Sequence, residues 1–188
     1  GSTLGLKAAV GYWRTDTRLE YHRDASSFHE KTAEANTART LLKKQRLVLS
    51  AADRILTTFG PDSGYVYRPD VGLVIASESV VAHAMVSLAW LLENRRRIPT
   101  EERDGFVDHS PFAAATANYW VVYKLGGVKA SLLSERLFKT GMKILRDDRV
   151  LNHAYPLFGG RPKVSLQAAN GTVSEALLQL LKNAILLS

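Results

Sequence analysis

Between Ala35 and Phe59 a single seam runs at alternating spacings of three and four, through Ala35, Ala38, Leu42, Gln45, Leu49, Ala52, Leu56 and Phe59. That period matches one face of an α-helix. Leu41, Val48 and Ile55 widen the stripe beyond the seam of a two-stranded coiled coil, so the helix needs neighbours on more than one side. The pattern predicts an all-α fold, a helical bundle built around this element.

Ser27 and Glu30 have capping-box spacing at its start, and Gly60 with Pro61 supplies a left-handed cap and a stop. A helix over 27–59 would be roughly 48 Å long at 1.5 Å per residue. Such a rod exceeds the width of a domain this size, so one end would project or meet a second molecule.

The run from Val71 to Leu92 is almost entirely apolar and ends at Arg95, Arg96 and Arg97. Its length raises a membrane span, but Glu78, His83 and three serines within it argue against one. The reading is a largely buried helix over 73–95, its arginines set against the negative helix end. Between the two long elements, Tyr65, Val66 and Tyr67 form either a short strand or an ordered loop.

Ser110 and Pro111 read as a cap and first residue of a further helix ending at Gly126 and Gly127, with another from Val128. Trp90, Trp120, Tyr119 and Tyr123 are assigned to core packing. Asp147 and Asp148 cap or flank a short helical turn, and Pro156 to Gly171 is a loop with a basic tip. Thr172 and Glu175 open a last amphipathic helix. The count is about five to seven helices in a single domain over 1–188. Residues 1–26 hold an arm or a short helix, and Gly1 with Ser2 reads as a remnant of expression.

The chain has no cysteine, which excludes disulfides, thiolate zinc sites and cysteine nucleophiles. The apolar stretch after Thr3 is too short and interrupted for a signal peptide. Together these point to an intracellular protein, cytoplasmic or nuclear. The formal charge is +7 and the isoelectric point about 9.7. This balance favours a polyanionic partner: nucleic acid, anionic lipid or an acidic protein face.

No catalytic, cofactor or metal signature is present. His29 and Glu30 adjoin, but no second histidine follows at the spacing of a zinc protease. His22, Arg23 and Asp24 match a kinase triplet without the rest of that signature. Asp108, His109 and Ser110 are direct neighbours and cannot form a relay with one another. Glu101, Glu102, Asp104 and Asp108 lack the pattern of a calcium loop. His83 reads as a core histidine.

The basic clusters are the usable signal. Arg39, Lys43, Lys44 and Arg46 lie mainly off the apolar seam; Arg95, Arg96 and Arg97 form a second group, and Arg161 with Lys163 a third. Tyr65 and Tyr67 beside Arg68 offer aromatic faces, as do Tyr12 and Trp13. The first functional reading is therefore a basic helical assembly module that binds single-stranded RNA or DNA through its backbone and self-associates. The alternatives are a helical protein-interaction domain, such as an adaptor or effector, a peripheral binder of anionic membranes, and an enzyme whose histidines and carboxylates converge in a pocket.

Overall fold

The computed structural model describes residues 4–24, 27–58, 64–103, 111–133 and 142–187. Helices α1 (Leu4–Ala8), α2 (Thr15–Arg23), α3 (Phe28–Glu34) and α4 (Arg39–Lys44) precede strands β1 (Val48–Ala52), β2 (Ile55–Leu56), β3 (Val66–Tyr67) and β4 (Leu73–Ser77). There follow α5 (Val80–Arg95), α6 (Thr100–Arg103), α7 (Pro111–Leu132), α8 (Arg149–Leu157) and α9 (Glu175–Leu186). The fold is thus mixed α and β, and the all-α expectation is corrected by two antiparallel strand pairs.

The predicted helix over 27–59 is broken into α3, a 3-10 turn at Ala35–Thr37, α4, β1 and β2. Thr37 donates its hydroxyl to the Glu34 carbonyl at 2.8 Å, and Asn36 donates its amide to Thr32 at 3.0 Å and Leu6 at 2.7 Å. Such local bonds compete with helix continuation, and Ala38 then turns extended at φ −54°, ψ 126°. Beyond α4 the sequence satisfies two periods at once. Leu47, Leu49 and Ala51 alternate with Val48, Ser50 and Ala52, so pairing with an apolar strand prevails over helical propensity. The proposed stop at Gly60 and Pro61 lies outside the described residues.

β1 pairs with β4, from Val48 opposite Ser77 to Ala52 opposite Leu73, and β2 pairs with β3. The four strands make one ribbon with an uneven joint: Asp53 and Arg54 on one side stand against Arg68 to Gly72 on the other. Pro69 sits in this unpaired stretch, where its missing N–H costs no ladder bond.

The buried helix over 73–95 is corrected as well, because its first five residues form β4. Ser79 marks the change. Its hydroxyl accepts the N–H of Ala82 at 3.2 Å and caps α5, while its own N–H binds the Ser77 hydroxyl at 3.1 Å. From there α5 runs through the core with Val81, His83, Ala84, Met85, Leu88, Ala89 and Asn94 at or near zero exposure.

α1, β1, β4, α8 and α9 pack around α5. Gly5 permits the approach of α1: a Cβ there would stand 2.9 Å from Val48 Cγ1 and 3.1 Å from His83 Nδ1. α3 packs on α8, and α2 on α7, which kinks at Gly127 with φ 74°. That kink falls where the sequence separates two helices. Asp148 caps α8 by accepting the Leu151 N–H at 2.9 Å. α9 begins two residues later than the Thr172 reading, with Ser174 as the cap accepting the Leu177 N–H at 3.2 Å.

Asn36 is buried and joins α1 to α3 through the Leu6 carbonyl. Asn36→Ala removes this buried bond and should lower the unfolding free energy by about 0.5–1.5 kcal/mol. Urea denaturation measures this; an unchanged midpoint would show that the bond does not hold α1 in place.

Candidate functional site

α4 is a short turn of helix whose inward residue is Leu41, half-buried, while Arg39, Lys43 and Lys44, with Arg46 just beyond, are exposed. Arg46 donates to the carbonyls of Lys43 and Gln45, so its guanidinium folds back over the end of α4. Among the described residues, no carboxylate forms an ion pair with any of these four cations. Like charges held this close repel one another, and an anionic partner relieves that repulsion.

Arg95, Arg96, Arg97 and Arg161 are engaged within the fold. Arg95 donates to the Met142 carbonyl at 3.1 Å, tying α5 to the segment that enters α8. Arg96 and Arg97 both reach Glu93, at 3.6 and 3.2 Å. Arg161 binds the Ile185 carbonyl in the last turn of α9 and lies 6.0 Å from the centre of the Tyr155 ring, whereas Lys163 is exposed. The clusters do not form one compact track. β1 starts opposite Ser77, at the N-terminal end of α5, and Arg95 to Arg97 occupy its C-terminal end, about 24 Å along the axis.

Tyr65 and Tyr67 are half-buried, and Tyr65 is fixed by its backbone: Thr57 donates to its carbonyl at 2.9 Å and its N–H meets the Thr58 hydroxyl at 2.6 Å. Arg68 is exposed beside them. The open aromatic face is instead on α7. Trp120 is 59% exposed and stacks on Tyr123 at 5.9 Å, with the Lys124 ammonium 4.6 Å from the Trp120 ring. The core assignment holds for Trp90 but not for Trp120, Tyr119 or Tyr123.

Directly after α4 comes a surface that the helical period hides. Leu49 and Ala51 on β1 stand opposite Ala76 and Val74 on β4, and all four face outward. Leu49 is 62% and Val74 70% exposed, and Leu42 and Leu47 beside them are exposed too. The signal for this face lies in strand parity: Leu47, Leu49 and Ala51 share one side, with no charge in either strand.

The histidines and carboxylates gather only in part. His22 and His29 flank the Phe28 ring at 6.0 and 5.8 Å. Glu30 and Glu34, one turn apart on α3, pair with Arg149 at 2.7 Å and His153 at 2.9 Å on α8. This double pair joins two helices. Asp24 is held down to about 2 by the Arg23 guanidinium, with Lys31 adding to it at 2.9 Å.

Two clefts, of about 510 and 280 Å³, border α9, and neither is lined by a histidine. Arg96 and Lys143 line the larger; Asp70, Trp90 and Arg97 line the smaller. Among the described residues, no group of three or more histidines and carboxylates is arranged to hold a metal ion. Asp104, Asp108, His109 and Ser110 lie outside the described residues. Also among the described residues, no helix is long and apolar enough to cross a membrane.

His83 is wholly buried, and burial pushes its imidazole below the ordinary range, the Ile75 backbone opposing the effect. The unfolded chain therefore takes up a proton first as the pH falls. Stability from this residue is complete above about pH 6.5 and declines below it. His83→Leu should make the decline of the melting temperature between pH 7 and 5 shallower. An equal slope in both proteins would show that His83 is not held neutral in the core.

No curated protein and no solved structure matches the chain. Residues 1–89, from the N-terminus into α5, match the family model of a domain of unknown function, DUF362. The matched stretch includes Gly1 and Ser2, α4 and the whole β-ribbon, so the candidate surface lies within the part of the chain that is similar to this family.

Proposed function

We propose that this chain is a protein-interaction module that docks an acidic partner on α4 and the outer face of β1 and β4. The observation that carries the reading is that four exposed cations, Arg39 to Arg46, lead directly along the chain into an exposed apolar face formed by Leu47, Leu49, Ala51, Val74 and Ala76. The cations supply rate and orientation through long-range attraction, and the apolar face supplies affinity through burial. A partner that uses both carries carboxylates beside apolar side chains.

A second reading, binding of single-stranded RNA or DNA, is favoured by the cations of α4 taken alone. Nucleic acid has little use for exposed leucine and valine, and the half-buried Tyr65 and Tyr67 present less ring surface for stacking than open aromatics would. The separation of Arg46 from Arg95 to Arg97 also shortens the phosphate track available to one strand. The acidic protein partner therefore stands first.

The two readings part in one titration, with fluorescence anisotropy across a salt series. The probes are a labelled peptide of alternating valine and threonine ending in four glutamates, the same peptide ending in lysines, and single-stranded RNA. The glutamate peptide should bind, the lysine peptide should not, and alanine at Lys43, Lys44 and Arg46 should weaken binding about tenfold and flatten its salt dependence. Tight RNA binding with a steep salt slope, and none of the glutamate peptide, would establish the nucleic-acid reading instead.

A further inference from the structure

We infer that the ribbon is an incomplete sheet, and that the docked partner adds a β-strand to the open edge of β1 with its acidic end over α4. This rests on the interaction reading above and specifies how the partner is held. Among the described residues, β1 and β4 pair only with each other, and no other backbone hydrogen bond reaches Val48–Ala52 or Leu73–Ser77. Among the described residues, β1 thus keeps one edge of alternating N–H and C=O groups open. A polypeptide backbone offers donors and acceptors at that repeat; a lipid surface or a phosphate chain does not.

The composition of the strands supports the same conclusion. Val48–Ala52 and Leu73–Ser77 contain no charged residue and no proline, the features by which exposed strand edges are normally protected. Nearly continuous apolar strands belong to sheets covered on both faces, yet among the described residues only the inner face is covered, by α1 and α5. The choice of edge follows from charge: β1 continues directly from α4, so a strand laid along it brings its end to Arg39, Lys43, Lys44 and Arg46. The occupant is a short segment, apolar at alternate positions and acidic at one end.

Hydrogen exchange read by mass spectrometry tests this on the whole chain, free and with the glutamate-ended peptide. A peptide of equal length and charge with proline at alternate positions, which cannot form a ladder, is the control. The strand-forming peptide should slow exchange in Leu47–Ala52 about tenfold, and Leu49→Glu, which removes the apolar contact and repels the acidic segment, should abolish the effect while leaving the circular dichroism unchanged. If the peptide binds without slowing exchange there, strand addition is wrong and the interaction reading stands. If neither peptide binds, both are wrong. Full protection of every β1 amide in the free chain would show that the edge is already covered. Light scattering that shows a dimer with β1 protected would give the edge to a second copy and overturn the proposed partner.

Discussion

The run of apolar residues from Val71 to Leu92 cannot remain a single element, and the rest of the structure depends on where it breaks. Ser77, Glu78 and Ser79 supply the break: one hydroxyl receives the N–H of Ser79, and the next caps α5. The two halves then fold onto each other, β4 lying over α5, so that one stretch of sequence builds both a strand and the central helix of the core. β1 follows because β4 needs a neighbour, and α1 follows because Gly5 leaves room for it beside Val48 and His83. Without the serine turn there would be no sheet and no reason for the chain after α4 to extend.

The helical content and several boundaries are legible in the sequence because they rest on local chemistry. Pro111, Gly127, Asp148 and Glu175 mark element ends where short-range rules place them or within a few residues. The strands are not legible by the same means. Leu42, Leu49 and Leu56 satisfy a helical spacing and Leu47, Leu49 and Ala51 a strand spacing, and nothing within the window chooses between them. The choice is made 27 residues away, by the register of Leu49 with Ala76. A non-local contact of that kind overrides propensity without leaving a local trace.

The candidate site shows the same division. Cations are visible in any sequence, and the exposure of Arg39, Lys43, Lys44 and Arg46 could be anticipated from their place off the seam. Their inequality with the other basic groups could not. Arg95 and Arg161 serve carbonyls on distant segments, and Arg96 and Arg97 share Glu93. Net charge therefore overstates the surface free for a partner, because part of it is spent inside the fold. The outer face of the ribbon was hidden for the opposite reason: its residues are apolar, and apolar residues are read as core until a register assigns them a side.

The uneven joint in the ribbon sets a limit on anything built upon it. Two residues facing five cannot continue a ladder, so regular backbone geometry lasts only from Val48 to Ala52 before the chain changes direction at Asp53. At about 3.4 Å per residue this is a platform of roughly 17 Å. A surface so short can read only two or three side chains of whatever lies against it. A strand added there would bury little surface, and its attachment would be reversible.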